Sequence, residues 1–534
     1  MSQCRQAPAQ YHLLLQRQGA SPMPPTLEAE GREPNATYFT VFWVPGVPGG
    51  DFGTRFAPAG ARLFRLPIWK LPLLPPSDQD DSTLQFSKAR ELLSQLIGLP
   101  DIAEVLDEDS FNARRVYTQA PTLWLLVLQR LGGGLSLKDA VEELLEHHRD
   151  LLPPNRRVNE GTLSKNNSAY SKARKELLLD IVTSFSNRIC DYLAARSEPV
   201  FLDSRVFIID GTTITLPPTA ALKKKFPPAT NQHGQSVWPV AMLMVASELS
   251  TGCVLVPQVD AMYGENNSSE AKQAEKIIDR LPDNSIVLAD SGFGIFSVAH
   301  HCHSRGKKFL FRLSGGRFKA LKKKATLVEK DDGSETWHLL WQPSVKDRQT
   351  NPHLGAEATV EVFVHRIALE DGKDLYLVSN LEVDASSQAT LYLRRYDVEF
   401  DIRDLKVTMD TENLRAKSVD TVMKELMASV VAYNLVAQLR RQAAKLARVE
   451  PRRLSFSGVW LTFKHQLLYK EYSSYEEWQF AFQRALISAG DHKLPNRSRA
   501  RSYPRIAHPR RPKTTKFQKS LRKKDEQKPQ KPPD

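Results

Sequence analysis

The sequence predicts a mixed α/β fold that is preceded by an all-helical segment. Three observations predict it. Apolar residues recur at helical spacing over residues 84–197, short buried apolar runs alternate with helices over 205–315, and alternating strand patterns follow over 314–385. At roughly one structural unit per 150 residues, the 534 residues suggest about three units.

The helical segment is predicted as a domain over residues 83–200. Apolar residues recur every three or four positions in 87–99, and a second helix, 121–131, is stopped by Gly132 to Gly134. Ser136 and Asp139 have the form of a capping box that opens a helix to about His148. Residues 163–195 form one long helix or two shorter ones. The many Lys and Arg leave two interpretations open, a helix-turn-helix DNA-binding unit and a plain helical bundle.

Buried strands are predicted in the next segment. The runs 206–209 and 285–289 are short, apolar and β-branched, and each is followed by an aspartate and a small residue. Further strands are predicted at 237–247, 252–260 and 307–313, with helices at 269–281 and 295–305. This order indicates a sheet with mixed strand directions.

A β-rich unit is predicted over about 314–388, inside a larger unit at 201–450. The runs 358–367 and 375–379 alternate in polarity and flank Asp371 and Gly372, which predicts a hairpin. Helix is predicted again from Leu391 to about Ala447, and a C-terminal helical region over 451–492.

The two ends of the chain differ from the rest. Residues 1–82 are rich in Pro and Gly and are predicted to be an irregular extension. Residues 493–534 carry 15 Lys/Arg against 3 Asp/Glu, which is most of the net charge of +13. A basic, proline-rich tail of this kind is predicted to be disordered. It either binds DNA phosphates or is a solvated extension without function.

Composition excludes several classes of protein. Four cysteines without a CxxC pair exclude a disulfide scaffold and argue against structural zinc. No apolar run approaches the roughly 20 residues of a membrane helix, and the N-terminus lacks the long apolar stretch of a signal peptide. We therefore expect a soluble protein of a reducing compartment.

Asp210 and Asp290 are the first candidate functional residues. Each follows a buried strand, and the ends of strands in open α/β sheets are where binding sites form. Two neighbouring carboxylates would suit Mg²⁺, which prefers carboxylates, water and substrate phosphates. For a single strand-end aspartate, a simple turn or cap is the alternative explanation.

The predicted helix after Leu391 carries four more candidates. Tyr392, Arg395, Glu399 and Lys406 fall within roughly 60° of arc at about 100° per residue. They would place a phenol, a guanidinium, a carboxylate and an ammonium on one stripe. An ordinary ion pair between Arg395 and Glu399, four residues apart, is the structural alternative.

The spacing Tyr-x2-Arg-x3-Glu-x6-Lys at Tyr392 to Lys406 resembles the signature of the IS4-type (DDE) transposases of bacterial insertion sequences. The DGT that begins at Asp210 resembles the first acid of that family, and the ADSGFG around Asp290 its second. The resemblance covers about residues 205–445. The usual Trp after the motif Arg is Tyr396 here, and Trp337 and Trp341 are the candidates for a base-stacking tryptophan.

The resemblance implies a ribonuclease-H-like mixed sheet with helices on both faces and a β-rich insertion before the last catalytic helix. It implies that Asp210, Asp290 and Glu399 are catalytic and hold two Mg²⁺ ions, for which Mn²⁺ can substitute, with Asp210 shared between them. Arg395, Lys406 and Tyr392 would then contact DNA phosphates. All three acids are present, which argues against a decayed site.

The implied function is cut-and-paste transposition. The implied partners are the terminal inverted repeats and target DNA, bound by a homodimer that acts at the nucleoid in the bacterial cytoplasm, with no membrane contact. Two alternatives stay open: an inactive DNA-binding remnant, and another nuclease of the same fold such as a resolvase.

Overall fold

The computed structural model describes residues 88–98, 115–153, 155–231, 234–265, 267–355, 357–369 and 372–495. The predicted N-terminal extension, residues 496–534 of the predicted tail and Asp371 of the predicted hairpin lie outside these ranges. No helix within them is long and apolar enough to cross a membrane.

Helices precede the sheet, as the apolar periodicity predicted. In the described part they are α1 Lys88–Ile97, α2 Gln119–Leu131, α3 Leu137–His147, α4 Arg156–Asn159, α5 Ser168–Glu176 and α6 Leu179–Ala195, with a 3₁₀ turn at Arg149–Leu151. Helix α3 begins at the predicted capping box, because the Ser136 side chain accepts from the Asp139 backbone N–H and the Asp139 carboxylate accepts from that of Ser136. The predicted helix over 163–195 is two helices, α5 and α6.

The sheet has ten described strands of mixed direction. They are β1 Arg205–Thr215, β2 Pro228–Asn231, β3 Gly234–Glu248, β4 Gln258–Ala261, β5 Ser285–Ala289, β6 Lys308–Arg312, β7 Thr326–Asp331, β8 Ser334–Trp341, β9 Val360–Ala368 and β10 Asp374–Ser379. Their order is β2-β3-β1-β5-β6-β10-β9-β8-β7, and β4 pairs with β3. Strand β1 is parallel to β5, and β5 to β6, whereas the other pairs are antiparallel.

The predicted β-rich unit continues this sheet. Strands β9 and β10 form the predicted antiparallel hairpin, and β10 pairs with β6 of the parallel part. The four strands β7 to β10 therefore extend the sheet on one side, and the mixed α/β class is confirmed.

Helices of the second half cover the sheet and follow it. They are α7 Ala220–Lys225, α8 Glu270–Ile278, α9 Phe296–Ser304, α10 Gly315–Lys322, α11 Val345–Thr350, α12 Ala385–Leu393, α13 Asp397–Arg403, α14 Val419–Leu446, α15 Phe456–Thr462 and α16 Tyr475–Gly490. Short 3₁₀ segments lie at Arg394–Tyr396, Thr411–Asn413 and Pro451–Arg453, and π-helical segments at Asp404–Thr408 and Phe463–Leu468.

Both faces of the sheet are buried by helices. Because side chains alternate along a strand, Ile208 of β1 faces α12 and α13, whereas Phe207 and Ile209 face the core that contains α8 and α9. Helix α14 is buried over most of its length in that second core, where α2, α6 and α16 pack on it. The helices before the sheet thus share one hydrophobic core with the helices after it.

Three local predictions were wrong. The run 252–260 is a strand only over Gln258–Ala261. Asp210 and Gly211 do not form a turn, because β1 continues to Thr215 in antiparallel pairing with β3. The long helix predicted from Leu391 begins at Ala385 and is interrupted by 3₁₀ and π-helical turns, since the chain tightens and widens locally where it crosses the sheet.

The buried imidazole of His365 on β9 generates a prediction about acid stability. Burial lowers the pKa of His365 to about 4, although Asp384 partly opposes this. Below a pH of about 6.5 the unfolded chain binds a proton that the folded chain does not, so the free energy of unfolding falls as the pH drops toward 4. The loss should reach about 3 kcal/mol.

The measurement is urea unfolding of wild type and His365→Asn between pH 7.5 and 4. The Asn side chain keeps a partner for the Thr336 hydroxyl, which lies 3.0 Å from His365 Nδ1. We expect the variant to lose less stability on acidification than wild type. An exposed control, His303→Asn on α9, should retain the wild-type pH dependence; equal slopes for all three proteins would contradict the prediction.

Candidate active site

Asp210 and Asp290 come together because β1 and β5 run parallel in a fixed register. Ile208 pairs with Leu288, so two residues further along, Asp210 is level with Asp290. Strand β5 ends at Ala289, and β1 therefore loses its parallel neighbour at the position of Asp210. The site thus lies at the carboxyl end of the parallel strands, although Asp210 itself is within a strand.

Each aspartate uses one carboxylate oxygen locally. Asp210 Oδ1 accepts a hydrogen bond from the Gly211 N–H at 2.9 Å, and Asp290 Oδ1 accepts one from the Gly292 N–H at 2.8 Å. For Asp290 this is the turn interaction that was the structural alternative. It occupies one oxygen and leaves the other for a ligand.

Arg395 connects the third acid to the first. Its Nη2 lies 3.0 Å from Glu399 Oε1 and its Nη1 lies 3.4 Å from Asp210 Oδ2. The Arg395 side chain is 9% exposed, whereas that of Glu399 is 52% exposed. The predicted ion pair between Arg395 and Glu399 is therefore present, and it extends to a carboxylate on the sheet.

Lys406 contacts the same strand further along. Its Nζ donates to the Thr213 carbonyl at 2.9 Å and lies 3.4 Å from the Thr212 hydroxyl and 3.9 Å from Glu412. Lys406 belongs to the π-helical segment Asp404–Thr408. A π-turn contains more residues per turn than an α-helix, so the angular stripe calculated for a regular helix does not hold at this position.

Tyr392 is buried beneath the site. Its ring is 2% exposed and packs in the cluster between the sheet and α12. Burial raises the pKa of the Tyr392 hydroxyl, so the phenol stays protonated at neutral pH. The structure therefore brings Arg395 and Lys406 to β1 directly, brings Glu399 there through Arg395, and places Tyr392 below them in the core.

The site carries an excess of negative charge. Burial raises the pKa of Asp210 to about 6; Arg395 opposes this, and the charges of Asp290 and Glu399 add to it. Like charges raise the pKa of a carboxyl because ionising it costs more beside another anion. The guanidinium of Arg395 thus compensates the three acids only in part.

Glu270 is a fourth carboxylate that the sequence did not indicate. It is the first residue of α8, and a Cβ added to Gly211 would lie 2.9 Å from Glu270 Oε1. Burial raises the pKa of Glu270, and the charge of Asp290 contributes. Glycine at position 211 therefore lets this carboxylate approach β1. No periodicity marks Glu270, because only the packing of α8 on the sheet brings it here.

Arg317 is a further residue of the site that the sequence did not indicate. It lies in α10 and its Nη1 donates to the Ser291 carbonyl at 2.5 Å, in the loop that holds Asp290. The predicted stacking candidates are buried instead: Trp337 packs edge-on against Phe318, and Trp341 packs against Phe296. Neither indole is exposed to stack on a base in this structure.

The oxygen donors fit Mg²⁺ by chemistry, since hard carboxylate oxygens converge where negative charge is undercompensated. Among the described residues, however, no three His, Cys, Asp or Glu side chains are close enough together to ligate one ion. Arg395 lies between two of the three predicted acids. In the protein alone, Asp210 and Glu399 are thus bridged by the guanidinium of Arg395.

The segment that contains these residues is similar to a transposase domain. Residues 202–435 match the family model described as the transposase DDE domain. The chain is 25% identical over 401 residues to the transposase InsG of insertion sequence element IS4 from Escherichia coli (strain K12), a match that covers 73% of this chain and 84% of that one.

The match and the similarity to the IS4 transposase indicate an enzyme that acts on DNA. A solved structure, the piggyBac transposase synaptic complex with hairpin DNA, matches with a TM-score of 0.35 and 10% identity over 76% of this chain and 83% of that chain.

The position of Arg395 generates a prediction about stability without metal. Removing it with Arg395→Ala leaves Asp210, Asp290 and Glu399 without their nearest cation, and we expect a loss of about 1–3 kcal/mol. Mg²⁺ should restore part of this loss by supplying the missing positive charge. The measurement is thermal unfolding of wild type and variant with and without 10 mM Mg²⁺ (roughly the excess needed to saturate a weak site).

The matched control is Arg394→Ala. Arg394 pairs with Asp397 at 2.9 Å, away from the three acids, so its loss should not be repaired by Mg²⁺. An equal response of both variants to Mg²⁺ would refute the proposed balance of charge at the site.

Proposed function

We propose that Asp210, Asp290 and Glu399 are the catalytic acids of a ribonuclease-H-like core that cuts DNA at the ends of a transposable element and joins those ends to target DNA. The observation that carries the proposal is the contact of one guanidinium, that of Arg395, with acids from two distant parts of the chain. Together with the register of β1 and β5, it gathers three carboxylates from three elements.

Asp210, Asp290 and Glu399 would hold the divalent ions, with Asp210 shared between two Mg²⁺ or Mn²⁺. When bound, such ions activate the attacking oxygen and neutralise the charge that develops on the phosphate. The raised pKa of Asp210 supports this assignment, because the neighbouring acids that contribute to it leave negative charge that Arg395 compensates only in part.

Water and DNA are the only reactants that the proposed cleavage and joining steps need. Water attacks the phosphorus at the end of the element, the P–O3′ bond breaks, and the 3′ oxygen takes a proton. The freed 3′-hydroxyl then attacks a phosphodiester of the target, forming one P–O bond and releasing the target 3′ oxygen. Arg395 and Lys406 would hold phosphates beside the bond that breaks, and Tyr392 would support them from below.

The proposed partners are the terminal repeats and target DNA, bound by two copies of the chain in one complex at the bacterial nucleoid. Two ends must be held together for cut-and-paste joining, and this requires two active sites. The similarity of the chain to the IS4 transposase supports the proposal.

Glu399→Gln is the first test of this function. On supercoiled DNA that carries the terminal sequence flanking the gene, Mg²⁺-dependent nicking should fall by more than about 100-fold, since even outer-shell changes at metal sites cost 10–100-fold. DNA affinity, measured by fluorescence anisotropy, should change little because the amide keeps the side chain's size.

The matched control is Glu450→Gln, an exposed glutamate 4.0 Å from Arg394, which should nick as wild type does. Equal nicking by Glu399→Gln and wild type would refute the role of Glu399. A wild-type protein that binds this DNA without nicking it would favour the inactive DNA-binding remnant instead.

The basic tail is the second test. Residues 493–495 belong to the fold, since Lys493 bridges to Leu454 and the Leu494 N–H donates to the Arg453 carbonyl. A deletion should therefore begin at 496. It should lower DNA affinity and flatten the dependence of log K on log salt by about 0.9 for each phosphate contact that is lost.

The control for this deletion is a chain of full length whose tail Lys and Arg are replaced by Gln. It should behave as the deletion does, because charge and not length is the cause. A salt slope identical to wild type in both proteins would show that the tail does not bind phosphates.

A further inference from the structure

A cavity of about 210 Å³ lies where the N-terminal helices meet the segment that follows the catalytic helix. The end of α2, the start of α3 and α5 form one wall, and residues of the 410–425 stretch form the other. Arg130, Arg174 and Arg415 all line it, beside a single acid, Glu425. Three guanidiniums around one concave space are unusual in a cavity between packed elements.

The carboxylate of Glu425 is shared among four donors. Arg174 Nη2 lies 2.5 Å from Oε1, Arg130 Nη2 lies 3.2 Å from Oε2, and the backbone N–H groups of Arg415 and Ala416 donate to Oε2. Arg130 and Arg174 are both buried, with 5% and 8% of their surface exposed. One negative charge thus serves two buried cations.

Arg415 adds a third cation whose side chain is free. The guanidinium is exposed at the cavity and makes no hydrogen bond or ion pair with another described residue. Asp410 is the nearest further acid: its backbone carbonyl accepts from Arg130 Nη1 at 3.4 Å, and its carboxylate accepts from Asn413. With Glu425 and Asp410 counted against three arginines, the surroundings of the cavity remain positive.

The backbone around the cavity is shaped to leave it open. Gly134 has a φ of +78°, and a Cβ there would lie 2.7 Å from Asp410 Oδ2. Ser136, the N-cap of the eleven-residue helix α3, also lines the cavity. The glycine turn 132–134 is not itself a phosphate loop, but Gly134 forms one edge of the cationic cavity.

The cavity is connected to the active site by a short stretch of chain. Lys406 contacts β1 beside Asp210, and Arg415 follows nine residues later through a π-helical and a 3₁₀ turn. Nine residues span at most about 30 Å even when fully extended. Arg415 therefore lies within roughly nine nucleotides along a DNA strand that is held at Lys406. Burial lowers the pKa of Arg130, and the positive charges of Arg174 and Arg415 lower it further, whereas Glu425 and Asp410 raise it. A bound anion would relieve the repulsion among the three arginines.

We propose that this cavity binds a backbone phosphate of the DNA other than the one that is cut, with Arg415 as the exposed contact and Arg130 and Arg174 behind it. The inference rests on DNA being the substrate in the proposed function, and it goes beyond that function by assigning a second phosphate site at the junction of the helical segment and the catalytic core. Guanidinium groups suit this task because their planar fork matches phosphate oxygens.

The test uses Arg415→Ala and a duplex of the terminal sequence that carries a single neutral methylphosphonate at one position at a time. Binding is measured by anisotropy without divalent ions, so that it does not depend on cleavage. At 0.1 M salt, we expect a methylphosphonate at one position away from the cut to lower the affinity of wild type by about 8-fold. This is the loss expected for one phosphate contact when log K falls with log salt by about 0.9 per contact. Arg415→Ala should bind unmodified DNA with the same loss of affinity. A methylphosphonate at that position should then cause no further loss in the variant.

The matched control is Arg484→Ala, an exposed arginine on α16, which packs near the far end of α14. It should retain the wild-type response at every position. Thermal unfolding of Arg415→Ala should match wild type because the side chain is exposed, and Arg415→Lys should recover part of the affinity.

Two outcomes would overturn the proposal. In the first, Arg415→Ala binds as wild type does, or its effect adds to that of every methylphosphonate. In the second, inorganic phosphate raises the unfolding temperature of wild type and not of Arg415→Ala, while the effects of Arg415→Ala and of the methylphosphonates on DNA affinity are additive. This result would make the cavity a site for a free anion. A wild-type chain that shows the expected binding but never nicks DNA would refute the proposed function and leave this site standing.

Discussion

The position of the catalytic segment depends on a buried set of ion pairs beneath α13. Asp401 is almost fully buried, accepts from the Ser247 hydroxyl of β3 and lies 2.6 Å from Arg452 Nη2, while Asp397 lies 3.2 Å from Arg452 Nε. Breaking such a buried pair typically costs about 3–5 kcal/mol, because the remaining charge has no solvent to stabilise it. The two aspartates are four residues apart on one side of the helix. Glu399, midway between them in sequence, is therefore held on the opposite side, toward Arg395 and β1.

Arg395 then sets the spacing of the acids. A guanidinium with donors in a fixed fork can contact Asp210 and Glu399 at once, which a lysine with one charge centre could not do with the same geometry. Burial raises the pKa of Asp210, and the neighbouring charges of Asp290 and Glu399 raise it further against the effect of Arg395. A site of this kind is costly to assemble without positive charge, which Arg395 supplies in part.

The helices before and after the sheet meet on α14. This helix carries Glu425, which holds Arg130 of α2 and Arg174 of α5, and farther along it carries Arg440, which approaches Asp401 beneath the catalytic segment. One rigid helix therefore contacts both the cationic cavity and the support of Glu399. Phosphate contacts made by the N-terminal helices are in this way placed at a fixed distance from the active site.

The sequence by itself determined the class of fold, the capping box at Ser136, the strand that carries Asp210, the strand that precedes Asp290, and the four-residue motif from Tyr392 to Lys406, because all of these are local patterns of polarity and spacing. Only the tertiary structure decided that β1 continues past Asp210, that Tyr392 is buried, and that Glu270, Arg317 and the three arginines of the cavity gather around distant residues. Those outcomes depend on strand register and on helix packing between segments far apart in the chain. Periodicity along the chain holds no information about which distant side chains pack together. The burial of each side chain depends on that packing.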